Sequence, residues 1–137
     1  MRILQPAGWP RPRGYSNGIE ATGRQVYVAG QVGWDETGRF ASGFATQFEQ
    51  TLYNIVAVLR EAGAGPEHIV RMTWYVTDKA AYLRDLQRVG QAYRDVMGRN
   101  YPVMAVVIVA GLIEDDALVE IEATAVLPAE AADQAAA

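Results

Sequence analysis

The sequence predicts one two-layer α+β domain, a mixed β-sheet packed on two helices in the order β-β-α-β-α-β-β. Three observations predict it. The chain has 137 residues, the size of one ordinary domain. Two segments repeat apolar residues at three- and four-residue steps, the spacing of a helix with one buried face. The segments around them alternate, or run apolar in short stretches bounded by turn-forming residues, as strands do. Helices with a single apolar stripe, interleaved with strands, fit one helical layer on one sheet.

Pro6 to Gly14 holds three prolines, two arginines and Trp9. Proline removes backbone donors and fixes φ, so this segment is expected to be an extended arm. Tyr15 to Glu20, a turn at Gly23 and the β-prone run Gln25 to Val32 suggest a hairpin. Gly33 and Asp35-Glu36-Thr37-Gly38-Arg39 form the loop that ends it. In Ser42 to Gly63 the residues Phe44, Phe48, Leu52, Ile55, Val56 and Leu59 share one helical face. Ser42 is placed to cap the start and Gly63 to stop the end.

Ile69 to Thr77 alternates, and Val70, Met72, Trp74 and Val76 are expected to point inward. Asp78 suits the N-cap of a second helix, with Tyr82, Leu86, Val89, Tyr93, Val96 and Met97 as its stripe and Gly98 as its close. Val103 to Val109 is continuously apolar, typical of a strand buried on both sides. Leu118 to Leu127 sets Glu120, Glu122 and Thr124 against Val119, Ile121, Ala123 and Ala125, a final strand. The domain is expected to span residues 1–127, with an Ala-rich disordered tail over 128–137. Two helices cover only one sheet face, and an apolar second face points to a closed homo-oligomer with sheets facing a shared interior.

Composition narrows the chemistry. Twelve Lys and Arg against sixteen Asp and Glu give a net charge of −4, with no basic stripe, so nucleic acid is not an expected partner. The chain has no cysteine and one histidine, His68. Disulfides, thiolate catalysis, Cys-based zinc sites and a two-histidine metal site within one chain are thereby excluded. His68 follows a Pro-Glu turn and is expected at the surface. No apolar stretch approaches the roughly 20 residues of a membrane span. Nor does the N-terminus carry a signal-peptide pattern, so the expected compartment is the cytoplasm. Gly23, Gly38, Gly43, Gly63 and Gly65 punctuate turns, and no G-x-G-x-x-G or P-loop occurs.

Five stretches in order and spacing resemble the RidA/YjgF family of reactive-intermediate deaminases: Gly14-Tyr15-Ser16-Asn17-Gly18, Val28-Ala29-Gly30-Gln31-Val32, Gln50-Thr51-Leu52-Tyr53-Asn54-Ile55, Ile69 to Asp78, and Val119 to Val126. The resemblance runs from about Gly14 to Val126. It implies a chorismate-mutase-like subunit in a homotrimer with ligand clefts between neighbours. The implied activity is hydrolysis of imines and enamines to a carbonyl acid and ammonia without metal or organic cofactor. It places the family's tyrosine on Tyr15 and its water-orienting glutamate on Glu120, with Gly30 and Gln31 lining the cleft.

One position departs from that pattern. Where deaminating members carry an arginine that pairs with the substrate carboxylate, this chain has Met104, in Pro102-Val103-Met104-Ala105. A thioether does not replace a bidentate guanidinium, whose bonds to carboxylate are worth roughly 1.5–3 kcal/mol each. Met104 reads either as a core residue among Val and Ile or as the lining of an apolar pocket. Arg13 and Arg11, on the arm, read either as solvated charges or as a substitute carboxylate partner. Tyr15 is a hairpin aromatic or a phenol donor, and Glu120 an exposed-face charge or a cleft carboxylate. Glu122 shares the face of Glu120 and reads as structural. Arg71 is expected on the exposed face. Trp34 either narrows the cleft or meets a neighbouring subunit. The expected function is cofactor-independent hydrolysis of a small imine or enamine with a noncanonical anchor. The alternative is a small-molecule-binding or regulatory trimer without turnover.

Overall fold

The computed structural model describes residues 1–129. A ribbon of β1 (Arg2–Leu4) and β2 (Gly18–Glu20) precedes the main sheet, built from β3 (Arg24–Val32), β4 (Ile69–Val76), β5 (Val103–Ile108) and β6 (Val119–Leu127). The helical layer comprises α1 (Phe44–Glu61), α2 (Lys79–Arg84) and α3 (Leu86–Met97). The main sheet runs β3-β6-β4-β5, antiparallel except for the parallel pair β4–β5. The α+β class, the mixed sheet and the single helical layer are as the sequence predicts.

Four local expectations are corrected. The hairpin between Tyr15–Glu20 and Gln25–Val32 does not form, because β2 pairs with β1 and β3 pairs with β6. Arg2 stands opposite Glu20 and its guanidinium lies 3.2 Å from that carboxylate. Ser42 does not cap α1; the cap is Gly43, without a side-chain bond. The second helix breaks at Asp85, which ends α2 and begins α3. Val103 to Val109 is not buried on both sides within one chain. It is the sheet edge, with Val106, Val107 and Ile108 36–49% exposed. The expected tail lies outside the described residues from position 130 onward.

The core sits between α1, α3 and the inward sheet face. Phe48, Leu52, Ile55 and Leu59 of α1 are fully buried beside Met72, Val76, Val119 and Ile121, each large side chain contributing about 1.5–3 kcal/mol of burial. Gly63, at φ +72°, ends α1 by a reciprocal pair of bonds, its N–H to the Arg60 carbonyl and that of Ala64 to the Leu59 carbonyl. This is the six-to-one closure that a left-handed residue permits. Asp78 caps α2 as expected, its Oδ1 accepting from the Ala81 N–H at 3.1 Å.

Two polar side chains of α1 hold loops. Asn54 Nδ2 donates to the carbonyls of Val32 and Trp34. Buried Gln47 donates to the Asp116 carbonyl and accepts from the Leu118 N–H, both at 2.9 Å. Gly33 lets these parts meet, since a Cβ there would stand 2.6 Å from the Gln47 carbonyl oxygen.

Candidate functional site

The arm reaches the sheet edge through Ser16. Its Oγ donates to the Tyr101 carbonyl at 2.6 Å and its N–H to the Pro102 carbonyl at 3.0 Å. Ser16 is buried and bridges to Val103 at the start of β5. This latch sets the residues before it over the end of α3. Arg13 and Gly14 thus line a cleft of about 310 Å³ with Trp74, Tyr93, Tyr101 and Met104. Tyr93 and Tyr101 stack with ring centroids 5.9 Å apart. Burial, and then the neighbouring Tyr101, push the Tyr93 hydroxyl well above the ordinary tyrosine range. Its O–H donates to the Asn100 carbonyl.

Tyr15 opens onto an adjoining cleft of about 530 Å³ that also holds Arg11, Ser16 and Arg99 and shares Gly14 and Tyr101 with the first. Glu120, Gly30 and Gln31 sit elsewhere. Glu120 lies on β6 opposite Val32 and Tyr75, and its carboxyl group covers Gly30 so closely that a Cβ there would come within 2.8 Å. Gln31 Nε2 donates to the Ala29 carbonyl at 3.1 Å, beside the irregularity that bends β3 between Val28 and Gln31. Tyr75 donates to Glu122 Oε1 at 2.7 Å. That bond, then desolvation, then the charges of Glu122 and Glu120 raise the Tyr75 hydroxyl above its ordinary value.

The arrangement divides the expected residues into two groups. Arg13 and Met104 share one cleft, with Tyr15 next to it. Glu120 is level with Tyr75, four residues along β4 from the level of Ser16 and three strand spacings from it, through β4 and β5. At sheet spacings that is a backbone separation of roughly 20 Å, so one chain does not bring Tyr15 and Glu120 together.

The family model described as Endoribonuclease L-PSP matches residues 10–127. The chain belongs to the RidA/YjgF family. A RutC family protein of Pyrococcus abyssi is 36% identical over 119 residues, covering 85% of this chain and 89% of its own. The 2-iminobutanoate/2-iminopropanoate deaminase of Homo sapiens is 29% identical over 127 residues, covering 91% of this chain and 89% of that enzyme. Among solved structures, the Rid-family protein YyfB of Yersinia pestis, of unknown function, superposes with a TM-score of 0.79 at 33% identity. It covers 92% of this chain and 98% of its own.

Within this Rid-family chain the remaining expectations fall as follows. Arg71 is exposed on the outer face of β4. Trp34 packs on Phe40 within its own loop, ring centroids 5.4 Å apart. His68 is half-buried, its Nδ1 accepting from the Gly65 N–H at 3.0 Å. Among the described residues, no three His, Asp or Glu side chains gather as a metal site would need. No helix there is long and apolar enough to cross a membrane.

Sequence reasoning missed Ser16, Tyr101 and Tyr75. Tyr75 was legible as an outward residue of an alternating strand, but its partner Glu122 follows only from the β4–β6 register. The Ser16 contact spans 85 positions, and no local pattern encodes it.

Proposed function

We propose that this Rid-family chain is a cofactor-independent hydrolase of small imine or enamine metabolites, working as a homotrimer with clefts between copies. The observation that carries the reading is the meeting of Arg13 and Met104 in one cleft. The guanidinium that position 104 lacks is thereby available from the arm. The likeness to an iminobutanoate deaminase supports the reaction class. The roughly 20 Å between the Tyr15 and Glu120 positions of one chain supports a cleft completed by a neighbour.

An imine carbon is already electrophilic, so hydrolysis needs placement and proton traffic more than a strong nucleophile. In this reading Arg13 holds the substrate carboxylate. Glu120 of a neighbouring copy, seated on its Gly30, orients a water and takes its proton as the C–O bond forms. The Tyr15 phenol steadies the imine nitrogen. That proton passes to the nitrogen to give a carbinolamine, whose hydroxyl proton follows it by way of Glu120 as the C–N bond breaks and the C=O bond forms, and a carbonyl compound and ammonia leave.

The test is ammonia release from a panel of imines generated in situ by an amino-acid oxidase. Turnover above buffer, lost in Glu120→Gln and Arg13→Ala, is expected. A rate equal to buffer across carboxylated and uncharged imines overturns the reading. The second reading, a ligand-binding trimer without turnover, is favoured by the apolar thioether at position 104. Ligand-induced thermal shifts without product would support it.

A further inference from the structure

A second cation of the Met104 cleft was not singled out by the sequence. Arg94, on α3, lines it together with Arg13 of the arm. Among the described residues neither Arg13 nor Arg94 pairs with a carboxylate. Among the described residues, the side chain bonded to Arg94 is neutral Gln91, at 3.2 Å. Two unneutralised guanidinium groups thus flank one opening in a chain whose net charge is −4.

Gly90 stands beside Arg94 in the cleft wall. It lies in the middle of α3 without a positive φ, so the backbone does not require glycine. A helix pays about 1 kcal/mol for glycine relative to alanine. The space is used instead. A Cβ at Gly90 would meet the Arg94 guanidinium at 3.4 Å, and both residues line the cleft. Without a side chain at position 90 the cleft wall stays open beside the Arg94 guanidinium, and a side chain longer than a methyl would enter that space.

The floor is aromatic. Trp74, Tyr82, Tyr93 and Tyr101 line it with Met104, whose flexible thioether adapts to rings. The indole N–H of Trp74 is buried and has no hydrogen-bond partner among the described residues. An unpaired buried donor is costly, so the packing of this floor is not optimised for the chain alone. An acid of two or three carbons would leave the ring-lined floor empty.

We infer that the cleft selects aromatic carboxylates, their ring on the Trp74–Tyr93–Met104 floor and their carboxylate between Arg94 and Arg13. This rests on the reading of the Met104 cleft as the place where substrate binds, and it names the class of substrate. The corresponding imine is that of an aromatic 2-amino acid, and its hydrolysis product is an aromatic 2-oxo acid.

Titration calorimetry on the full chain with phenylpyruvate, its ethyl ester and pyruvate tests the assignment. Phenylpyruvate is expected to bind at least tenfold more tightly than either of the others. Arg94→Ala should weaken it roughly tenfold or more, with Arg94→Lys intermediate because an ammonium lacks the planar fork. Gly90→Leu should abolish binding while leaving the thermal midpoint unchanged or raised, which a purely structural role for Gly90 would not produce. Equal binding of pyruvate and phenylpyruvate, or indifference to Arg94→Ala, overturns the inference. So does Arg94-dependent capture of a short single-stranded RNA without saturable binding of the acid. Arg94-dependent binding of phenylpyruvate with no ammonia released from any imine removes the hydrolase reading and keeps the acid class. Ammonia release from small imines with no aromatic preference does the reverse.

Discussion

Gly30 and Glu120 act as one unit, since the carboxyl group occupies the space a side chain at position 30 would take. Gly30→Ala is therefore expected to lower imine hydrolysis at least tenfold through displacement of Glu120, with a far smaller change in the urea midpoint. Circular dichroism against ammonia release separates the two. Met104→Arg is expected to raise turnover of small carboxylated imines by restoring a guanidinium at that position. A folded but inert variant would locate the departure elsewhere in the cleft. Tyr93→Phe removes the bond to Asn100 and should cost about 1 kcal/mol near neutral pH. The buried phenol is harder to ionise folded than unfolded. Its stabilisation is complete below about pH 10, the unfolded value, and is lost as the pH rises towards the higher folded value. The gap between wild type and Tyr93→Phe in urea midpoint should thus stay constant up to about pH 9 and narrow as the pH rises past about 10. At this scale the residue types of the site were legible, but not their company. Met104 and Arg13 stand 91 positions apart in the chain, and long-range contacts such as the Ser16 latch set them in one cleft.

Helix α1 shows why some elements could be read and others not. Its stripe of Phe44, Phe48, Leu52, Ile55, Val56 and Leu59 is a periodic signal, and every one of those residues is buried. Its stop at Gly63 was legible because the left-handed conformation there favours glycine. Gly63→Ala should cost about 1–2 kcal/mol, read as a lower urea midpoint with an unchanged slope. Two polar residues in the same helix had no such signal. Gln47 and Asn54 look like ordinary surface residues until the loops they hold are in view. Asn54→Ala strips a donor from two carbonyls and should destabilise by about 1–3 kcal/mol, with faster amide exchange across residues 33–41 as the local readout. The break at Asp85 and the capping by Gly43 escaped notice because a continuous apolar stripe conceals a one-residue bend.

Continuous hydrophobicity in Val103 to Val109 reads as burial, but it does not say what does the burying. Within one chain β5 is an edge, with β4 on one side and Val106, Val107 and Ile108 open. An apolar, exposed edge strand is a hazard that soluble proteins cover, which is the physical content of the proposed trimer. Val107→Lys is expected to yield folded single copies by sedimentation, with far-ultraviolet circular dichroism retained and hydrolysis lost. The order β3-β6-β4-β5 was not legible either, since alternation marks strands but not neighbours. That order has a temporal consequence. The strand synthesised last, β6, lies between β3 and β4 and is hydrogen-bonded to both. On the ribosome, everything up to Ala117 can emerge without those two strands having anything to join them. The nascent sheet therefore stays open until Leu127 clears the exit tunnel, and a translation pause shortly before Val119 would strand a greasy half-built layer for chaperones to guard.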